Sequence, residues 1–183
     1  MKIPEQAMKK FSGIIFDTYQ WEQTLFDGSI ATFEMLKRPS TLQVIPVIGD
    51  KILIAYEEQP NKPASYTVLG GRQEPGEESL AGAQREFLEE TGMGAKEWTL
   101  YKSSQPYTKM DWTIYTYIAK DIQQIQEHTQ EAGEKIVIKE VTFSEFIDIA
   151  TTPEFWAKEI TLDIFFHQKK GTLKEFKQQL FHR

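Results

Sequence analysis

Residues 70–93 read GGRQEPGEESLAGAQREFLEETGM, and the reading of this stretch decides the fold. A Gly-Gly turn and Pro75-Gly76 deliver the chain into a segment where Leu80, Ala83 and Phe87 recur at i, i+3 and i+7. That spacing is one stripe of a helix over about residues 78 to 91. Gly92 and Gly94 stand where a helix C-cap is expected. On the same helix Glu86, Glu89 and Glu90 fall at i, i+3 and i+4, an arc of roughly 100° beside the apolar stripe. Carboxylates this close repel one another and call for a neutralising cation. Arg85 can pair with one acid, and loop geometry favours Glu77. The other three acids have no obvious cationic partner nearby in sequence. Hard oxygen ligands without His or Cys suit Mg²⁺, with Mn²⁺ as the alternative. Such an ion would polarise a phosphoryl oxygen and generate hydroxide from bound water. The competing reading is a solvated acidic helix face, the usual fate of a charge run.

Outward from the helix, the flanks read mostly as strands. Residues 11–36 alternate short apolar runs with turn signals, Asp27-Gly28 among them, and predict a hairpin or meander that ends at Pro39. TLQVIPVI (41–48) and KILIAYEE (51–58) predict a second hairpin around Gly49-Asp50, with largely buried strands. EQPNKPAS (58–65) reads as a loop and YTVL (66–69) as a short strand. After the helix, EWTLYKSSQPY leads into DWTIYTYIAK, whose β-branched and aromatic content makes it a strand. DIQQIQEHTQEAGE (121–134) reads as a loop or weak helix, and KIVIKEVTF as another strand. SEFIDIAT reads as a short helix with Ser144 as N-cap. The remainder, 153–181, is helical in period and broken at Gly171-Thr172. Strands, helix, strands, helices in that order define an α+β chain layered as an α/β/α sandwich.

A chain of 183 residues suits one domain with a small extension. The net charge of −6 argues against a broad nucleic-acid surface, which needs clustered Lys and Arg. An anionic small molecule held by a local basic pocket stays open. With no cysteine, disulfides, thiol nucleophiles and thiolate metal sites are excluded. His128, His167 and His182 show no zinc-ligand spacing. The N-terminus lacks a signal-peptide apolar run and no stretch approaches a membrane span, so no membrane partner and a cytoplasmic location are expected.

Gly71, five residues, Glu77, seven residues, then Arg85-Glu86-Phe87-Leu88-Glu89-Glu90-Thr91-Gly92 and Met93 resemble the Nudix box. At average residue frequencies such a match arises by chance on the order of 10⁻⁶ in a chain this long, so the solvated-face reading loses. The resemblance implies a Nudix fold, a mixed β-sheet between helices. It implies a domain over 39–183, its box at 71–93, behind an N-terminal antiparallel extension at 1–38. It also implies roles: Glu86 and Glu90 as principal metal ligands, Glu89 as a further ligand or general base, and the Gly70 or Gly71 carbonyl as an extra ligand. Arg85 with Glu77 would fix the loop against the helix. The extension is similar to that of the ADP-ribose and nucleoside-diphosphate-sugar pyrophosphatase branch, where it builds a homodimer and contacts substrate. That likeness makes Lys37 and Arg38 candidate diphosphate-binding cations, and Trp21, Phe16 and Phe26 candidate nucleobase platforms. In the loop after the box, Ser103-Ser104-Gln105-Pro106-Tyr107, the nearest acid is Asp111. The implied reaction is hydrolysis of a nucleoside diphosphate sugar to NMP and sugar phosphate. The alternatives are hydrolysis of nucleoside triphosphates or other nucleotides, and a catalytically silent domain that senses a nucleotide sugar. A Ca²⁺-binding structural helix lacks EF-hand spacing.

Overall fold

A computed structural model describes residues 2–60, 62–127 and 135–182. The chain opens with β1 (Met8–Ser12), β2 (Asp17–Thr24), β3 (Ile30–Lys37), β4 (Thr41–Ile48), β5 (Lys51–Gln59) and β6 (Lys62–Thr67). Helix α1 (Ser79–Thr91) follows, then β7 (Met93–Ser104), β8 (Met110–Asp111), β9 (Ile114–Gln124) and β10 (Lys135–Thr142). Helices α2 (Phe143–Ala150), α3 (Lys158–Lys170) and α4 (Leu173–Phe181) complete it.

The run TLQVIPVI is apolar almost throughout because β4 is covered on both faces. Leu42 and Val44 join Ala83 and Phe87 of α1 in one core cluster. Ile45 and Val47 join Phe146, Ile160, Ile164 and Phe176 of the other three helices in a second. Between them runs a mixed sheet in the order β10-β5-β4-β9-β7, with β6 added on β5. Only β4 and β9 run parallel within it. This is the expected helix–sheet–helix layering. The N-terminal strands form a separate sheet, β1-β2-β3-β8. Its last pairing is parallel and sets Lys37 beside Asp111. Among the described residues, no helix is long and apolar enough to cross a membrane.

Three local readings are corrected. Residues 62–65, expected within a loop, join Tyr66 and Thr67 of the expected strand in β6, which pairs back on β5 from Gln59↔Lys62 to Ala55↔Thr67. The N-cap of α2 is Thr142 instead of Ser144. Thr142 Oγ1 accepts from Glu145 N at 3.3 Å, and Glu145 Oε2 accepts from Thr142 N at 2.7 Å. That reciprocal box needs a Glu three residues after the cap, which Thr142 has and Ser144 lacks. Residues 153–157 stay outside α3, tied to β6 where Ser65 Oγ donates to the Glu154 carbonyl and Trp156 N to the Tyr66 carbonyl. The break at Gly171 stands, in a left-handed C-cap. Of the segment 121–134, residues 121–124 belong to β9, and 128–134, His128 included, lie outside the described residues.

Candidate active site

The turn before α1 is pinned to β4. Val44 N donates to the Leu69 carbonyl and Leu42 N to the Gly71 carbonyl, at 2.8 and 2.9 Å. Between those bonds Gly70 takes φ +125, a conformation open to glycine and few others. This twist aims its N–H at α1, where it donates to Glu90 Oε2 at 2.8 Å. The next glycine serves close approach: a Cβ on Gly71 would stand 2.5 Å from the Glu86 carboxyl carbon. Two glycines thus bring the turn's backbone against two of the helix carboxylates.

Arg85 does more than its sequence suggests. Its Nε and Nη2 grip Glu77 at 2.9 and 3.1 Å, the expected pair. Its Nη1 also donates to Glu86 Oε1 at 3.0 Å and Glu89 Oε2 at 2.9 Å, and Nη2 to the Arg72 carbonyl at 3.2 Å. The expectation that Arg85 would serve only Glu77 is therefore corrected. The planar guanidinium fork reaches three carboxylates, one of them at i+4. Glu77 also accepts from Glu74 N at 3.0 Å. The Arg85 hydrogen bond holds the Glu77 carboxyl below the usual carboxylate range, and Glu77 first, then Glu86, raise Arg85 in return. A depressed folded pKa means stability present above the ordinary carboxylate range and lost as pH falls through the folded value. Acid titration of Tm should therefore drop more steeply for wild type than for Glu77→Gln below that range. Parallel curves would refute a stabilising role for this pair.

The donor set is made of carboxylates and backbone carbonyls, which fits Mg²⁺ or Mn²⁺ and not a soft metal. Among the described residues no three acidic or His side chains already form a metal cage. In this conformation Arg85 takes one oxygen each of Glu86 and Glu89.

Between the N-terminal sheet and the box loop lies a cleft of about 780 Å³. It falls within the size range of small-molecule sites. Lys37, Arg38 and Asp111 all line it, facing Gln73–Glu77. Phe16 sits beside it, its ring 5.7 Å from the Arg38 guanidinium. Trp21 does not line it: the side chain is buried in the N-terminal sheet against Phe33. Phe26 is fully exposed, in the β2–β3 turn. Sequence reasoning missed Lys9, Asp17 and Tyr19, which line the cleft from β1 and β2. Only the strand register, Lys9↔Tyr19 and Asp17↔Lys37, gathers them. It also passed over Arg72, though its place directly after the Gly-Gly turn was a signal.

A carboxylate-bearing helix that follows directly on the loop of a cation-lined cleft is an arrangement suited to phosphorylated small molecules. The NUDIX domain matches residues 37–174, and the chain belongs to that family. It is 28% identical over 171 residues to the ADP-ribose pyrophosphatase of Bacillus subtilis (strain 168), covering 90% of this chain and 91% of that one. Its fold is similar to the crystal structure of an ADP compounds hydrolase, with a TM-score of 0.71 at 18% identity, over 92% of this chain and 95% of that one. So wide a match leaves too few residues aside to omit the N-terminal sheet. The E. coli ORF135 protein in solution is similar with a TM-score of 0.54 at 17% identity, over 72% of this chain and 90% of that one.

Proposed function

We propose that this chain is a Mg²⁺-dependent pyrophosphohydrolase that cleaves the diphosphate of ADP-ribose or a related nucleoside diphosphate sugar, releasing NMP and a sugar phosphate. The observation that carries the reading is the cleft. One wall is the box loop, Gln73–Glu77, and the other is the N-terminal sheet with the segment Lys37–Ser40 that leads into β4. A diphosphate seated between the box loop and Lys37–Arg38 then has room for a group on each side, which suits a nucleotide sugar better than a triphosphate. The Bacillus subtilis relative is named for the same substrate class. Glu86, Glu90 and the Gly70 carbonyl would hold Mg²⁺, which supplies phosphoryl polarisation and a more acidic bound water. Lys37 and Arg38 hold the diphosphate by charge. Glu77 and Arg85 keep the loop on the helix. Glu89 Oε2 is held by Arg85, so Oε1 is the atom that takes the proton as water attacks phosphorus and the anhydride P–O bond breaks. Phosphatase-coupled phosphate release across ADP-ribose, GDP- and UDP-sugars, diadenosine polyphosphates and dNTPs tests the reading. ADP-ribose or another nucleotide sugar should give the highest kcat/KM; a dNTP in first place overturns it.

The chain acts as a homodimer joined through its N-terminal extension. Met8, Phe11, Ile14, Phe26 and Ile30 are all more than half exposed there. Such a concentration of apolar surface suits a second copy. Sedimentation at micromolar concentration should give twice the 21.2 kDa chain mass. A monomer alone would count against it.

A further inference from the structure

Arg38 is held in a costly state. Its Nε is buried and has no hydrogen-bond partner among the described residues. Neither Arg38 nor Arg72 takes part in an ion pair among those residues. Burial, and then the charge of Arg72, push the Arg38 pKa down. Of the acids lining the same cleft, Asp17 is engaged with Lys9 and Ser12 and Glu77 with Arg85, and among the described residues no ion pair joins Glu74 to Arg38. Asp111 gives Arg38 only its backbone oxygen, at 3.3 Å from the Arg38 N. Arg72 pairs across the ladder with Thr41, three residues beyond Arg38. The orphaned buried donor of Arg38 and a second guanidinium thus come from adjoining strand positions, an arrangement that an anion completes.

The scaffold behind them is specific. The Arg38 guanidinium lies 4.6 Å from the Trp112 ring centroid. Trp112 is itself fixed, its Nε1 donating to Thr41 Oγ1 at 3.0 Å and its ring stacked on Tyr107 at 9° between planes. Thr41 also bridges to Arg72 through the backbone. One threonine therefore ties together the ring under one arginine and the strand position of the other.

We infer that Arg38 and Arg72 together grip one phosphoryl group of the substrate's diphosphate, with Trp112 the positioning residue that presents Arg38 to it. This rests on the diphosphate reading above and adds to it the second cation and its scaffold. Two guanidinium forks match the paired oxygens of a phosphoryl group, and stacking keeps Arg38 in place without a carboxylate that would compete for it.

Two measurements test it. Inorganic pyrophosphate binding is followed by calorimetry in EDTA, and KM and kcat are measured for ADP-ribose with Mg²⁺. Arg72→Ala should weaken pyrophosphate binding and raise KM about twentyfold with kcat little changed. Trp112→Leu should do the same by about tenfold, and Trp112→Phe, which keeps a ring face, should recover most of it. Unchanged pyrophosphate affinity in Arg72→Ala overturns the clamp. So does a Trp112→Phe variant as impaired as Trp112→Leu, with kcat falling alongside. If Trp112→Leu does not fold, Arg72→Ala and Trp112→Phe still decide. Arg72-dependent pyrophosphate binding without turnover of any ADP-linked substrate sinks the functional reading and leaves the clamp standing.

Discussion

Glu90→Gln should leave a folded protein whose Mg²⁺-supported turnover falls roughly a thousandfold, which corresponds to about 4 kcal/mol of lost barrier reduction. The amide keeps the side chain's shape and an oxygen that can still accept from Gly70 N, so the turn stays on the helix. What goes is a negative charge at the place where the proposed reading puts the cation. Glu86→Gln should behave alike, since Glu86 packs its carboxylate against Gly71 and shares Arg85 with two other acids. Glu78→Gln is the control. Glu78 is exposed at the helix N-cap and makes no side-chain capping bond, so its loss should leave rate and Tm near wild type. Circular dichroism and thermal melting verify the fold, and phosphate release gives the rate. Either Glu86→Gln or Glu90→Gln running at the wild-type rate would show that these carboxylates are not the metal ligands.

Much of this site is local in sequence, and that is why it was legible. Glu86, Glu89, Glu90, Arg85 and Glu77 lie within fourteen residues, so helix geometry places the first four and the short loop before the N-cap brings Glu77 back to Arg85. Periodicity put the helix over 78–91 against Ser79–Thr91, and Gly92 closes it in a left-handed C-cap. The hairpin at Gly49-Asp50 and the strand beginning near Ile114 were legible for the same reason. The substrate side was harder, because it depends on pairing between distant strands. Nothing local to Lys37 or Asp111 tells that β3 and β8 lie side by side. Trp21 shows the limit clearly. An aromatic in an extension that is expected to touch substrate looks like a platform, yet strand alternation turns this one inward onto Phe33. β7 was underread as a leading segment because its mixed polar composition hides a twelve-residue strand along the sheet's edge. Arg85's extra partners were hidden too. The count of acids near an arginine says nothing about which of them its fork can reach.

Gly70→Ala should cost about 3 kcal/mol or more of stability and lower Tm by roughly 10 °C, with activity lost alongside. Two penalties act at once. At φ +125 an L side chain is strained before any neighbour is considered. The new Cβ would also sit 2.9 Å from the Leu42 carbonyl carbon, closer still to its oxygen, and 3.0 Å from Gln43 Cα. Those atoms are backbone in β4, a strand paired on both sides in the middle of the sheet, so they have no rotamer by which to yield. The turn must move instead. Moving it breaks the 2.8 Å bond from Gly70 N to Glu90 and shifts the backbone around the carboxylates. Gly76→Ala separates the two penalties. Gly76 has φ +79, but a Cβ added there would meet nothing within 4 Å, so only the backbone strain remains, about 1 kcal/mol. If the two variants melt together, close approach to β4 is not what demands glycine at position 70. If Gly70→Ala melts well below Gly76→Ala, the turn is held on β4 by contact as well as by conformation. The helix carboxylates then owe part of their placement to β4, through the turn that it holds.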